Sequence, residues 1–153
     1  MKKNNSIIIG SGVIGSYLAK FLLSKKQKVI VTSRKKRKSY TNYNKLNIEN
    51  KVIFEELDVL KKNEILKLLK KYTPKNIFYF SGQSSLTKSI KLKKATNDSN
   101  YIGAKKILEI LHKYELKTNF YKANSGYIFE PKKGLINIKS KISKNKNPYI
   151  QSQ

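Results

Sequence analysis

Cysteine is absent from the 153 residues, which excludes disulfides, thiolate metal sites and cysteine nucleophiles. Histidine occurs once, at His112, so neither a histidine-built metal site nor an imidazole-centred triad can be assembled. His112 stands among lysines in a helical pattern and reads as a solvated surface residue; no metal site is expected. Acidic residues are scarce too: nine Asp and Glu face 34 Lys and Arg, a formal net charge of +25. No apolar run is long enough to span a bilayer, so no membrane partner is expected. Met1-Lys2-Lys3 opens like a secretion signal, but Gly10 and Gly12 break the apolar run that follows too early. A cytoplasmic protein is the expectation.

The basic excess raises the question of nucleic acid. The lysines are spread over nearly every expected helix and loop and form no single stripe. Lys, Asn and Ile are abundant together, as an AT-rich coding sequence produces without selection for binding. A solvated basic surface with no specific nucleic-acid partner follows, sticking to polyanions only in a salt-sensitive way.

The chain is long enough for one domain with a proper core, residues 1–153. Its organising stretch is the apolar run Ile7 to Ile9, then Gly10-x-Gly12-x-x-Gly15, then a helical pattern with Leu18, Phe21 and Leu22 on one face. Gly10 would permit a tight turn out of the strand. Gly12 would let a pyrophosphate approach the backbone, and Gly15 would let the helix close on the strand. The helix start presents free N–H groups and a positive dipole end to an anion.

A second strand, Lys28 to Thr32, ends at Ser33-Arg34-Lys35-Lys36-Arg37-Lys38. An acid at that point suits a ribose 2′-hydroxyl and basic residues suit a 2′-phosphate. No acid occurs before Glu49, so NADP is favoured over NAD, with Arg34 the best phosphate ligand because a guanidinium grips bidentately. Tyr40 to Asn50 reads as a polar connector, and Val52 to Phe54 as a third strand leading to Leu57-Asp58-Val59. Asn63 to Tyr72 is a helix with Ile65, Leu66, Leu68 and Leu69 inward, stopped by Pro74. Ile77 to Phe80 is a fourth strand, ending in Ser81-Gly82-Gln83-Ser84-Ser85. One long helix is expected over Lys94 to Tyr114, burying Ile102, Ile107, Leu108 and Leu111, and a fifth strand over Asn119 to Tyr121. Strand and helix alternate throughout, which gives an α/β fold: a Rossmann-type doubly wound parallel sheet with helices on both faces. Strands one and four would be neighbours, so the Gly10 and Ser81-Gly82 loops would face each other across a crevice.

With the strand ends placed, the chain resembles the extended short-chain dehydrogenase/reductase family. Within it the sugar-nucleotide dehydratases and epimerases are closest, in particular those of the GDP-mannose 4,6-dehydratase kind. Gly12-Val13-Ile14-Gly15-Ser16-Tyr17-Leu18-Ala19-Lys20-Phe21-Leu22-Leu23 looks like the first helix of that group. Leu57-Asp58, Phe80-Ser81-Gly82-Gln83-Ser84, Asn100-Tyr101-Ile102-Gly103-Ala104, Phe120-Tyr121-Lys122-Ala123-Asn124-Ser125 and Asn147-Pro148-Tyr149 are similar to its later signatures. The cofactor-binding candidates are therefore Gly10, Gly12, Val13, Ile14, Gly15, Arg34, Asp58, Val59, Ser81, Gly82, Gln83 and Asn100. The resemblance implies Tyr149 as base toward a sugar hydroxyl, Ser125 as the group that relays or holds that proton, and a GDP-sugar or other nucleotide sugar as substrate.

The departures matter equally. The family's acid two places after the catalytic hydroxyl is replaced by Tyr127, and its lysine one helical turn after the tyrosine by Gln153. The segment from Tyr149 to Gln153 is too short to hold a helix unaided, so Tyr149 is expected on a frayed tail. The family's second half would cover the far flank of the fifth strand, so the sheet reads as incomplete on its C-terminal side, as if the gene were interrupted. A homo-oligomer or the missing C-terminal half would be the partner, and the fragment is expected to be inactive alone. A non-catalytic dinucleotide-binding or regulatory module is the alternative, with a basic nucleic-acid binder third.

Overall fold

A computed structural model describes residues 4–35, 39–130 and 135–153; Lys36, Arg37 and Lys38 of the basic loop lie outside them. Five parallel strands form one sheet in the order β3-β2-β1-β4-β5: β1 (Asn5–Ile9), β2 (Lys28–Ser33), β3 (Ile53–Glu56), β4 (Asn76–Tyr79) and β5 (Asn119–Lys122). β1 is central and buried along its whole length: Ile7 to Ile9 are apolar, and the buried Asn5 and Ser6 side chains are hydrogen-bonded to Tyr72 O and Gln27 Oε1.

Alternate side chains of the strands feed two cores. Ile7, Ile9, Ile30 and Ile77 pack against α3 (Lys62–Tyr72) and α6 (Gly103–Lys113) through Ile65, Leu68, Leu69, Ile107 and Leu111. Ile8, Val29 and Val31 face the other way, onto Ala19 and Leu22 of α1 (Val13–Ser24) and Tyr43 of α2 (Thr41–Lys45). Fully burying each such isoleucine contributes roughly 1.5–3 kcal/mol. Winding from β1 runs outward through β2 to β3 and, on the other side, through β4 to β5. The reversal falls between β1 and β4, where a crevice must open.

Several expectations about packing and helix extent are corrected. Phe21 is 56% exposed, because α1 meets the sheet through Gly15, Ser16, Ala19 and Leu22; these mostly small residues bring the helix close and turn Phe21 outward. Leu108 is also exposed, since the buried stripe of α6 runs through Ala104, Ile107, Ile110 and Leu111. The segment from Tyr40 to Asn50 is no mere polar connector: it holds α2 and a 3-10 turn, and buries Tyr40, Tyr43 and Ile48. Tyr40 stacks on Phe54, ring centroids 3.7 Å apart.

The expected long helix, finally, is segmented. α4 (Leu86–Lys91) and α5 (Lys93–Asn97) are followed by a π-helical turn over Asp98–Ile102 and then by α6. That wider turn carries Asn100, which is buried and bonded to the loop after β4.

The tail is docked, not frayed. α7 (Pro148–Gln151) starts with proline at its first position, and Asn147 caps it by accepting from Tyr149 N at 2.9 Å. Ser89 of α4 donates to the same Asn147 Oδ1 at 3.1 Å, and Ser152 is buried. Tertiary packing against α4 and α5 thus supplies what four helical residues cannot supply alone.

Candidate functional site

The bend after β1 is built by three glycines with separable duties. Gly10 has φ +115°, and its N–H donates to Thr32 O at 3.2 Å. A Cβ there would sit 2.9 Å from the carbonyl carbon of Phe80, so β1 and β4 approach as closely as backbones can. A Cβ on Gly15 would lie 2.3 Å from Gly10 O, so the helix rests directly on the bend. A Cβ on Gly12 would meet nothing within 4 Å. Gly12 therefore borders open space, as a backbone awaiting a ligand should. The first helical bond runs from Ser16 N to Gly12 O at 3.0 Å, which leaves the amides of Val13, Ile14 and Gly15 for an outside acceptor. No acid stands in the first turn of α1 to compete with an anion.

Toward the ends of β2 and β3 lies a cavity of about 390 Å³, whose walls include Arg34, Asp58, Val59, Leu60, Ser81, Gly82 and Gln83. Asp58 is fixed in a turn: its Oδ1 accepts from Leu60 N at 2.9 Å, and its own N–H donates to Glu64 Oε2 at 2.9 Å. Arg34 and Asp58 also border a shallower depression shared with Ser33, Lys35, Glu56, Lys61 and Glu64. Here the Lys61 ammonium, 2.8 Å from Glu64, holds that carboxyl below its ordinary range, helped by the Asp58 amide; the lysine is raised in turn. Glu56 is paired in register with Ser33. An acid therefore stands beside the end of β2 after all, delivered by the neighbouring strand.

Toward β5 the crevice continues as a cavity of about 200 Å³. Its walls include Ile14, Tyr79, Ser81, Gly82, Gln83, Asn100, Lys122, Asn124, Tyr149 and Gln153. The Ser81–Gln83 loop belongs to both cavities and joins them. Asn100 holds it: Gln83 N donates to Asn100 Oδ1 at 2.8 Å, and Asn100 Nδ2 donates to Gln83 O at 3.0 Å. Gly82 is required beneath this clamp, because a Cβ would come within 2.5 Å of Asn100 Oδ1. Tyr79, whose phenol is pushed well up by burial, donates to Ser99 O at 2.5 Å and braces the same π turn.

Gly10, Gly12, Val13, Ile14 and Gly15 thus form the bend; Arg34, Asp58 and Val59 one end; Ser81, Gly82, Gln83 and Asn100 the bridge; and Tyr149 with Gln153 the other end. Ser125 is not among the residues lining the Tyr149 cavity, and its Oγ accepts from Tyr127 N at 3.3 Å. Lys122 and Asn124 are site residues that motif spacing missed. Their position at the carboxyl end of β5, beside the crevice mouth, was the available signal.

A crevice at the switch point of a parallel sheet, walled by a glycine bend and the loop after β4, marks a Rossmann-type domain, and the family match places it in the extended short-chain dehydrogenase/reductase class. An open Gly12 backbone and two joined cavities are compatible with an elongated diphosphate-bridged ligand. Residues 7–150 match the GDP-mannose 4,6 dehydratase family, and the chain belongs to it. It is 30% identical over 121 residues to CDP-paratose 2-epimerase of Salmonella typhi, covering 78% of this chain and 36% of that protein.

Among solved structures, UDP-glucose 4-epimerase from Brucella ovis in complex with NAD superposes with a TM-score of 0.82 at 20% identity, covering 97% of this chain and 44% of that one. The Thermus thermophilus UDP-glucose 4-epimerase complex with NAD gives 0.80 at 20% identity, covering 97% and 47%. These likenesses establish the fold. The chain spans 36% to 47% of the length of these three relatives.

Proposed function

We propose that the chain is the NADP-binding portion of a nucleotide-sugar epimerase or dehydratase. The observation that carries this reading is the pair of cavities, one walled by Arg34 and Asp58 and the other by Ile14 and Tyr149, that share the Ser81–Gln83 loop, together with a Gly12 backbone that borders open space. The amides of Val13, Ile14 and Gly15 would hold the diphosphate, Asp58 and Val59 the adenine end, and Arg34 the 2′-phosphate. A nicotinamide held there would supply the hydride acceptor for oxidation of a sugar carbinol to a carbonyl. Tyr149 would take the hydroxyl proton on its phenol oxygen, and Ser125, which lies outside the Tyr149 cavity in this structure, would have to turn toward it to hold that hydroxyl. With Tyr127 where dehydration needs an acid, epimerase-type chemistry is the better match. The substrate would be a GDP-sugar or related nucleotide sugar. Most of its contacts would come from the length that this chain does not span, so turnover by the fragment alone is not expected.

Glu56 beside Ser33 favours a second reading, in which the acid accepts a ribose hydroxyl and NAD is preferred. Titration of the purified chain with NADPH and NADH decides between them. Tighter NADPH binding that disappears in Arg34→Ala supports the first reading; tighter NADH binding that disappears in Glu56→Gln supports the second. A cytoplasmic location accompanies either, and among the described residues no helix is long and apolar enough to cross a membrane.

A further inference from the structure

Lys122 ends β5, register-paired with Tyr79, and lines the Tyr149 end of the crevice together with Ile14, Asn124 and Gln153. Its side chain is half-buried, yet no Asp or Glu side chain among the described residues pairs with it. Its one hydrogen bond is donated to the main-chain oxygen of Gln153 at 2.9 Å. An ammonium has three N–H donors, so two remain for whatever enters the cavity. Burial lowers its pKa from the ordinary lysine value. The position that would carry a lysine one helical turn after Tyr149 holds Gln153, a neutral side chain.

We propose that Lys122 is the cationic contact for the ribose-phosphate half of the dinucleotide distal to adenine, brought in from the strand instead of from the turn after Tyr149. This rests on the dinucleotide reading above. The adenine-end cavity contains Arg34 but not Lys122, whereas the Tyr149 cavity contains Lys122 and no other Lys or Arg. A ligand that fills both cavities therefore meets one cation at each end. Ribose hydroxyls and a phosphate oxygen are the acceptors that two spare N–H groups at the Tyr149 end would meet.

The test is calorimetric titration of the full chain and of Lys122→Met and Lys122→Arg with NADPH and with 2′,5′-ADP, which carries the adenine end alone; NADH and ADP replace them if NADH is preferred. Lys122→Met should weaken the dinucleotide about tenfold, the loss of one charge-assisted hydrogen bond, while the fragment keeps its affinity within about twofold. Lys122→Arg should recover most of the loss. An unchanged dinucleotide affinity in Lys122→Met, or equal weakening of dinucleotide and fragment, overturns the proposal, the second outcome marking Lys122 as structural. If the unmodified chain binds the fragment and Lys122 has no effect on the dinucleotide, this inference alone falls. If the unmodified chain binds neither, the dinucleotide reading falls and takes this one with it.

Discussion

Gly12 and Gly15 are three residues apart in one helical turn, yet alanine at each should fail in a different way. At Gly15 the new methyl would begin 2.3 Å from Gly10 O, where ordinary contact starts near 3.4 Å, so α1 must retreat by roughly 1 Å. Ile8 Cγ2 and the Tyr43 hydroxyl, each 3.3 Å away, close the sideways escape. Overpacking of this kind costs about 1–3 kcal/mol, or roughly 3–10 °C of thermal midpoint for a chain of this size. At Gly12 the backbone (φ −76°, ψ −170°) suits any residue, and no atom lies within 4 Å of the added carbon. Alanine is a poorer helix cap than glycine, but it also reduces unfolded-state entropy, so the two effects leave stability within about 0.5 kcal/mol. The ligand is affected instead. A methyl between the helix amides and a diphosphate removes at least one charge-assisted hydrogen bond, a loss of roughly tenfold to a hundredfold in affinity. Thermal melts and NADPH titrations on both variants read the two effects separately. Gly12→Ala that melts as early as Gly15→Ala, or that binds NADPH as the unmodified chain does, would refute the division of labour.

Other outcomes follow from single contacts. The Tyr43 hydroxyl is buried with no hydrogen-bond partner and its phenol is pushed well up by burial, so Tyr43→Phe should leave the melting temperature unchanged or raise it by a few degrees. Asn100→Leu breaks both bonds to Gln83; about 2 kcal/mol of stability should go, some 4–8 °C by calorimetry, and NADPH affinity should fall with it. Because burial lowers the Lys122 pKa, the unfolded chain binds more protons than the folded one between the depressed and ordinary values. Stability from this group therefore rises with pH across that window, while NADPH affinity falls as the ammonium is lost. Lys122→Met should flatten both trends in melts and titrations run as a function of pH.

Much of the fold was readable because β1 and β2 each hold a short apolar run, Ile7 to Ile9 and Val29 to Val31, set off by glycine or charge, and because α3 repeats leucines at helical spacing. The glycine bend was readable for the same reason: the close approaches at Gly10 and Gly15 and the open backbone at Gly12 follow from spacing between a strand and a helix. What escaped depends on tertiary contact. Phe21 and Leu108 were assigned inward from periodicity, yet small residues decide how α1 approaches and hence which stripe is covered. The π turn at Asn100 has no periodic signature; it exists to satisfy Gln83. The docked tail could not be foreseen from four helical residues, because its stability resides in Ser89, Asn147 and Ser152. Glu56 beside Ser33 is a matter of strand register, which the linear distance from β2 conceals.

Amide chemical-shift mapping of the 15N-labelled chain during NADPH addition addresses the crevice most directly. Saturable shifts should concentrate at Gly12, Val13, Ile14, Arg34, Asp58, Ser81, Gln83 and Lys122, the residues of the glycine bend and of the two cavities that share the Ser81–Gln83 loop. Shifts scattered over the lysine-rich surface and erased by moderate salt, or no saturable shifts at all, would contradict a dinucleotide site at the β1–β4 switch point.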